Sequence, residues 1–218
     1  MDTKVKGIIL STKDYLEADK IASIFSYEQG IISAKFTGVR KEKAKLKAIA
    51  QPFTLAEFEL MSKKDFYTVK TGIVIDNFPQ IISDYNKTMC AFILLDILKS
   101  ILPKLKPEPN IFLLSANALK KIEQEDAYQA LIEFIIEFID EMGEGLNIFA
   151  TDNKVYLDKS IGDFVPTPTM YAVEIDKKVF NALRVPTANE SIKKSCLKLL
   201  NTILAIKYDA ELKSFSFI

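Results

Sequence analysis

The chain has 218 residues, of which 49% are apolar and 27% are charged, and its formal net charge is zero. This balance is typical of a folded globular protein and argues against a disordered chain. Because there is no histidine and only Cys90 and Cys196 as thiols, His-based catalytic pairs and the usual four-ligand zinc sites are excluded. No phosphate-binding glycine motif and no distinctive carboxylate spacing occurs, so we expect neither an enzyme nor a cofactor. No apolar stretch approaches the length of a membrane span, which favours a cytoplasmic protein without membrane partners.

Strands are predicted at the start of the chain. Val5–Leu10 is a compact apolar run, and Ile21–Phe25 and Ile31–Phe36 flank a polar turn that ends in Gly30. Because glycine adopts a positive φ at little steric cost, this turn is typical of a β-hairpin.

Two further strands are predicted beyond residue 53. Thr54–Leu60 alternates apolar and acidic side chains, and after a turn at Lys63-Lys64-Asp65 the same period of two continues through Tyr67, Val69, Thr71, Ile73 and Ile75. Five strands, with one longer insertion between the third and the fourth, are what a small closed barrel needs.

The insertion contains a dense basic segment, residues 35–47, which we name the basic loop. Its only acid is Glu42, and its six cations are Lys35, Arg40, Lys41, Lys43, Lys45 and Lys47. Residues 1–80 carry a net charge of +3 and residues 81–218 a net charge of −3, so a polyanion should prefer the first part. The basic loop is therefore a candidate grip for a phosphate backbone, and the alternative is a solvated, mobile loop that only aids solubility. Good helix formers also make a short helix plausible over Lys41–Ala50.

Helices are predicted after Pro79. Ser83 or Asp84 can cap a helix that runs to about Leu102, and Ile111–Ile122 forms a second one. A third carries an apolar stripe at helical spacing, namely Leu131, Phe134, Ile135, Phe138, Ile139 and Met142. Asp176–Leu183 predicts a short helix. Ser191–Lys207 predicts a longer one with Ile192, Cys196, Leu199, Ile203 and Ile206 inside and Lys193, Lys194 and Lys198 outside.

Two further predictions concern the part of the chain after Pro79, namely an irregular segment and the positions of the two cysteines. The segment from about residue 147 to 175 shows no sustained period and predicts irregular structure. Cys196 lies on an apolar stripe and Cys90 within a similar helix, so we interpret both as small core residues rather than reactive thiols.

Several short motifs resemble those of the RecO family of bacterial recombination mediators, in the family's order and over nearly the whole length. The element from Tyr15 to Asp19 carries Leu16 where the family usually has glycine. The other matching motifs are Lys6-Gly7-Ile8-Ile9-Leu10, Glu28-Gln29-Gly30, Gly38-Val39-Arg40-Lys41, Ala50-Gln51-Pro52-Phe53, Pro109–Leu114, Glu141–Leu146 and Lys213-Ser214. Many family members carry four zinc-binding cysteines after the position of Gly143. This sequence has none there, so zinc is not carried over.

The resemblance implies an α+β protein with an N-terminal five-stranded OB-fold β-barrel (residues 1–79) followed by an α-helical bundle (residues 80–218). It implies binding to single- and double-stranded DNA, annealing of complementary strands, and a nucleoid-associated protein. It also implies partnership with RecR and with the acidic C-terminal tail of the single-stranded DNA-binding protein, and through them loading of RecA.

Site residues follow from these expectations. The six cations of the basic loop are the predicted DNA-binding residues. Phe36 and Phe53 are candidates for base stacking, although strand phenylalanines usually face the core. The best-charged candidates for binding the partner tail are Arg184, Lys193, Lys194 and Lys198, and a solvated helix face is the alternative. A different hypothesis for the whole protein is an adaptor whose basic loop binds an acidic protein rather than DNA.

Overall fold

The computed structural model describes residues 2–63, 66–149, 151 and 153–218. The turn predicted at Lys63-Lys64-Asp65 falls partly on residues 64 and 65, which lie outside the described residues.

A closed barrel forms the N-terminal part of the chain. Its five strands are hydrogen-bonded in the order β1-β2-β3-β5-β4, which confirms the predicted five-stranded barrel of the OB type. The barrel closes where β3 and β5 run parallel, with Ala34 paired to Tyr67 and Lys35 to Thr68. Gly30 has a φ of 71°, as the hairpin prediction requires. The strands are β1 (Asp2–Tyr15), β2 (Asp19–Ser26), β3 (Gly30–Phe36), β4 (Leu55–Lys63) and β5 (Phe66–Asp76).

A bulge in β5 changes which of its side chains face the barrel core. Leu60 of β4 pairs with Val69, but Glu59 pairs with Thr71, so Lys70 is an extra residue in the ladder. An extra residue reverses the alternation of inward and outward side chains. Val69 is therefore buried, whereas Ile73, three pairs further on, is 70% exposed. The period of two in the sequence correctly predicts the strand but not this reversal.

Six α-helices of the described chain follow the barrel. They are α1 (Pro79–Ser83), α2 (Tyr85–Ile101), α3 (Pro109–Gln124), α4 (Ala127–Glu141), α5 (Lys177–Arg184) and α6 (Glu190–Tyr208). Asp84 caps α2 by accepting a hydrogen bond from the backbone N–H of Lys87 at 2.9 Å, as predicted. Across the described residues, no helix combines the length and the apolar character that crossing a membrane would require.

The barrel and the helices share one hydrophobic core. Ile8, Leu10 and Phe25 of the barrel belong to the same buried cluster as α2, α3, α4 and α6. The rings of Phe25 and Phe112 meet edge to face, with centroids 5.6 Å apart. The change from strands to helices falls at Pro79, and the division into domains 1–79 and 80–218 stays a prediction.

The segment 147–175 is not irregular, contrary to prediction. It contains β6 (Val155–Asp158), β7 (Asp163–Val165) and β8 (Ala172–Ile175), which form an antiparallel sheet in the order β7-β6-β8. The Asp158 carboxylate holds the two turns by accepting hydrogen bonds from the hydroxyls of Ser160 and Thr169, both at 2.6 Å. Strands of three or four residues are too short to show a period, which is why the sequence does not reveal them.

Candidate nucleic-acid interface

The basic loop lies in the connection between β3 and β4, and this connection contains turns rather than the short helix predicted over Lys41–Ala50. The backbone N–H of Ala44 donates to Lys41 O at 3.2 Å and that of Lys47 donates to Ala44 O at 3.1 Å. These are bonds three residues apart, not the four of an α-helix. A ten-residue helix is marginal by itself, and here tertiary contacts set the path of the chain.

Both ends of the connection are tied to the barrel. At the start, the N–H of Gly38 donates to the Asp19 carboxylate at 2.7 Å, and the N–H of Arg40 donates to Ala18 O at 2.9 Å. At the end, the N–H of Phe53 donates to Ile9 O at 3.1 Å. The connection is therefore anchored on β1, on the β1–β2 turn and on the first residue of β2.

Apolar side chains anchor the middle of the connection. Val39, Ile49 and Ala50 are buried and belong to the core of the barrel, and Leu46 packs against them partly buried. Apolar positions thus alternate with lysines, so the connection has a buried apolar side and exposed cations. This arrangement differs from a loop that extends freely into solvent.

The structure divides the six cations of the basic loop into two groups. Lys35 Nζ lies 3.7 Å from the Asp19 carboxylate, and Arg40 Nη2 lies 3.2 Å from the Asp14 carboxylate. The other four are exposed and form no ion pair with any residue that the structure describes, namely Lys41, Lys43, Lys45 and Lys47. These four are the cations most available to an external anion.

Phe36 and Phe53, the two candidates for base stacking, are both buried, as the alternative of a core position expects. Phe36 is fully buried, with its ring centroid 6.2 Å from that of Phe58. Phe53 is 4% exposed and meets Phe92 edge to face at 4.7 Å. Phe36 belongs to the core inside the barrel, whereas Phe53 belongs to the core that the barrel shares with the helices. Tyr15, at the end of β1, is an aromatic side chain that is 42% exposed.

The turn between β1 and β2 contains Leu16, the position at which this sequence departs from the family pattern. Leu16 has a φ of 51°, in the left-handed region that favours glycine, and the resembled family usually has glycine there. Its carbonyl accepts a hydrogen bond from Arg40 Nη1 at 3.3 Å. The turn therefore keeps the shape that glycine supports and helps to orient Arg40.

A cleft of about 280 Å³ lies at the base of the basic loop. Lys20, Arg40 and Lys47 line it together with Asp14. The sequence does not predict that Lys20 lies near the basic loop, because most of the β2–β3 hairpin separates the two in the chain. The pairing of β2 with β3 brings them together, since it places Lys20 opposite Phe36.

The four residues predicted to bind a partner tail do not form one exposed set. Lys193 was expected on the outside of α6, but it is buried, and its Nζ lies 2.7 Å from the Asp126 carboxylate. Lys194 pairs with Glu190 at 2.9 Å and lies over the ring of Tyr128. Arg184 and Lys198 are exposed.

A larger cavity, of about 650 Å³, lies between the barrel and α2. Its wall is mostly apolar and includes Leu10, Met89 and Phe92, and Lys99 and Lys213 contribute cations. The final 3₁₀ helix (Lys213–Phe217) forms one side, held where the Ser214 hydroxyl donates to the Asp96 carboxylate at 2.7 Å. Sequence periodicity could not reveal this cavity because distant segments build it.

The residues present do not fit the zinc ion that many members of the resembled family carry. The segment 147–175 has no cysteine or histidine, and it folds into the small sheet of β6 to β8. Cys90 and Cys196 are fully buried in the helical core, as predicted. Burial, with Asp126 and Asp84 nearby, raises the pKa of Cys90 to about 12, and burial raises the pKa of Cys196 to about 11. Both thiols are thus kept protonated, which is unlike metal ligands.

Two models of known protein families match this chain, one in the barrel and one in the helical part. The model of the family "Recombination protein O N terminal" matches residues 1–78, and that of "Recombination protein O C terminal" matches residues 82–151. The first covers the barrel, and the second covers α2, α3 and α4.

Individual relatives agree with these matches. A DNA repair protein RecO from Acetivibrio thermocellus is 32% identical over 142 residues, which are 64% of this chain and 57% of that protein. One from Bacillus pumilus is 31% identical over 134 residues, 62% of this chain and 52% of that protein. In these alignments the chain spans about half the length of the relative. With a DNA repair protein RecO from Clostridium perfringens, identity is 25% over 97% of this chain and 95% of the relative. Barrel, helices and matches together show that this chain belongs to the RecO family.

Proposed function

We propose that this protein acts in DNA repair and recombination as a non-enzymatic mediator that binds single- and double-stranded DNA without sequence specificity. The observation that carries the proposal is the set of four exposed lysines, Lys41, Lys43, Lys45 and Lys47, held on a connection that is anchored to the barrel. Lysine contacts to phosphate supply affinity but do not distinguish bases. Such binding suits a protein that acts at any chromosomal sequence.

The finer steps of the proposal concern strand annealing and partners. A surface that neutralises phosphates lowers the repulsion between two complementary strands, which favours their annealing. We propose that the protein works with RecR and helps to load RecA onto DNA that is coated by the single-stranded DNA-binding protein. The relatives that match this chain are DNA repair proteins RecO, which supports a role in DNA repair.

A salt titration tests DNA binding directly. With four lysines on phosphates, the affinity for a fluorescein-labelled single-stranded oligonucleotide should fall with a log–log salt slope of about −3. The affinity should drop about 60-fold between 50 and 200 mM salt. Six engaged cations would give a steeper dependence, so the slope also reports whether Lys35 and Arg40 join. Fluorescence anisotropy at four or more salt concentrations measures it. Absence of binding at 50 mM salt would contradict the proposal.

The adaptor hypothesis predicts a different pattern in the same assay. If the basic loop binds an acidic protein instead, labelled poly-glutamate should bind while the oligonucleotide does not. If DNA is the ligand, a random-sequence oligonucleotide should compete efficiently and poly-glutamate of equal charge only poorly.

We propose the cavity between the barrel and α2 as the site for the acidic, apolar-ended tail of the single-stranded DNA-binding protein. Such a tail needs an apolar slot with cations nearby, and this cavity has an apolar wall with Lys99 and Lys213. The predicted residues on α5 and α6 are less suitable because Lys193 is buried and Lys194 is engaged with Glu190.

Two matched double variants decide between these positions. We expect Lys99→Glu/Lys213→Glu to weaken binding of a labelled acidic tail peptide at least about tenfold, since two attractions become repulsions. Arg184→Glu/Lys198→Glu changes the charge equally on the other surface and should leave binding within about twofold. The reverse ranking would support the residues predicted from the sequence. Anisotropy with the peptide and circular dichroism of each variant are sufficient.

A further inference from the structure

The cleft at the base of the basic loop combines cations from separate parts of the barrel. Lys20 lies on β2, and Arg40 and Lys47 lie on the basic loop. Their positions depend on the fold rather than on the local sequence. A cleft of about 280 Å³ can admit a single phosphodiester group with part of its sugar.

Arg40 is oriented within this cleft by two acceptors. Its Nη1 donates to Leu16 O at 3.3 Å, and its Nη2 lies 3.2 Å from Asp14 Oδ2. The same aspartate is also the cross-strand partner of Lys20 in the β1–β2 ladder. Asp14 therefore lies next to two of the three cations that line the cleft.

A carboxylate and a phosphate offer a guanidinium the same kind of paired oxygen acceptors. The Asp14 side chain is 58% exposed and that of Arg40 is 39% exposed, so their ion pair is wetted and contributes little to stability. A phosphate that enters the cleft can take the place of Asp14 without leaving a buried charge unpaired. The Asp14 carboxylate can then turn towards water.

We propose that Lys20, Arg40 and Lys47 form a phosphate subsite, and that Asp14 is an internal competitor that occupies Arg40 when no DNA is bound. This inference rests on the proposed DNA binding. It adds a defined position for one phosphate to the diffuse attraction of the exposed lysines. It also means that Asp14 keeps the affinity for DNA below the value that the cations alone would produce.

The test compares two variants that each remove one negative charge. Asp14→Asn should raise the affinity for a single-stranded oligonucleotide about fivefold in 0.1 M salt and steepen the salt slope by about 0.7, because one more cation meets phosphate. Glu42→Gln is the matched control, since Glu42 is exposed on the same loop and makes no ion pair within the described chain. It should raise affinity less than Asp14→Asn does, because Glu42 engages no cation, and its gain should persist in the Arg40→Gln background. The gain from Asp14→Asn should disappear in the Arg40→Gln background.

A second pair of variants tests the subsite without touching Asp14. Lys20→Gln should weaken binding about fivefold, whereas Lys13→Gln should not, because Lys13 lies on the opposite face of β1 from Asp14. Equal gains from Asp14→Asn and Glu42→Gln, or equal losses from Lys20→Gln and Lys13→Gln, would overturn the subsite while DNA binding by the wild type still supports the proposed function. If the wild-type protein does not bind DNA at all, both proposals fail.

Discussion

Replacing Lys41, Lys43, Lys45 and Lys47 together by Glu should lower the affinity for single-stranded DNA about 500-fold or more in 0.1 M salt. Each lysine that meets a phosphate releases a counterion, so the variant should also lose a salt slope of about 3. Annealing of complementary oligonucleotides should slow in parallel because it depends on the same contacts. Anisotropy and a fluorescence-quenching annealing assay measure the two effects.

The choice of these four lysines follows from the structure. Arg40 is left in place because the Asp14 carboxylate already engages it, so its replacement would test the phosphate subsite rather than the four unpaired lysines. Val39, Ile49 and Ala50, which anchor the connection in the barrel, are unchanged, so the variant should keep its fold. Circular dichroism and thermal denaturation verify this.

A control variant separates local contact from overall charge. Four exposed lysines outside the barrel can be reversed instead, with the same change in net charge, namely Lys104, Lys120, Lys159 and Lys178. If attraction depended only on net charge, both variants would lose affinity equally. We expect the control to lose less than about fivefold, because charges beyond a Debye length of about 10 Å are screened at this ionic strength. If the loop variant annealed complementary strands at the wild-type rate, the basic loop would not be the DNA-binding site.

The sequence predicts those structural features that depend on residues close together in the chain. It does not predict features that depend on contacts between distant parts of the chain. The strands of the barrel and the helices are predicted because each carries a local period, as in the stripe from Leu131 to Met142 on α4. The bulge at Lys70 is not predicted, because it depends on the register between two strands. Residues 41–50 have helical propensity but follow a path set by the burial of Val39 and Ile49 in the barrel.

The candidate site shows the same division. The basic loop is visible in the sequence because its six cations are close together in the chain. The engagement of Arg40 by Asp14 and the nearness of Lys20 are not visible, since both result from strand pairing. Lys193 is mispredicted because a lysine beside an apolar stripe normally reaches solvent. Here an acid from another helix, Asp126, makes its burial tolerable.

Breaking the ion pair between Lys193 and Asp126 should have a large effect on stability. Asp126→Ala should lower the free energy of unfolding by about 3 kcal/mol, with a fall in Tm of roughly 6–12 °C. The Lys193 side chain is 8% exposed, so removing its partner leaves an ammonium group with little access to water. Asp126 also caps α4 by accepting a hydrogen bond from the Gln129 N–H at 2.9 Å, and this bond is lost too. The Asp126 side chain is about half exposed, which places the loss at the lower end of the range for buried pairs.

Two further variants separate the ion pair from the helix cap. Asp126→Asn keeps a capping oxygen and removes the charge, so its cost should be about 2 kcal/mol. Lys193→Met removes the buried charge and keeps an apolar stem, so its cost should be about 1 kcal/mol or less. Urea denaturation of the three variants and the double variant Asp126→Asn/Lys193→Met measures the coupling between the side chains. Equal costs for Asp126→Ala and Asp126→Asn would mean that the cap contributes nothing.

The dependence on pH provides an independent check of the charge. Burial raises the pKa of Asp126, but hydrogen bonds from Lys193 and from the Gln129 backbone outweigh it, so the pKa lies below its ordinary value of 3.8. A carboxyl whose pKa is lower in the folded state stabilises the fold above its unfolded pKa, and this contribution is lost as the pH falls through the folded pKa. The difference in stability between the wild type and Asp126→Asn should therefore be constant from about pH 5 upwards and shrink below about pH 4. A difference that stayed the same down to pH 2.5 would mean that the asparagine loses packing rather than charge.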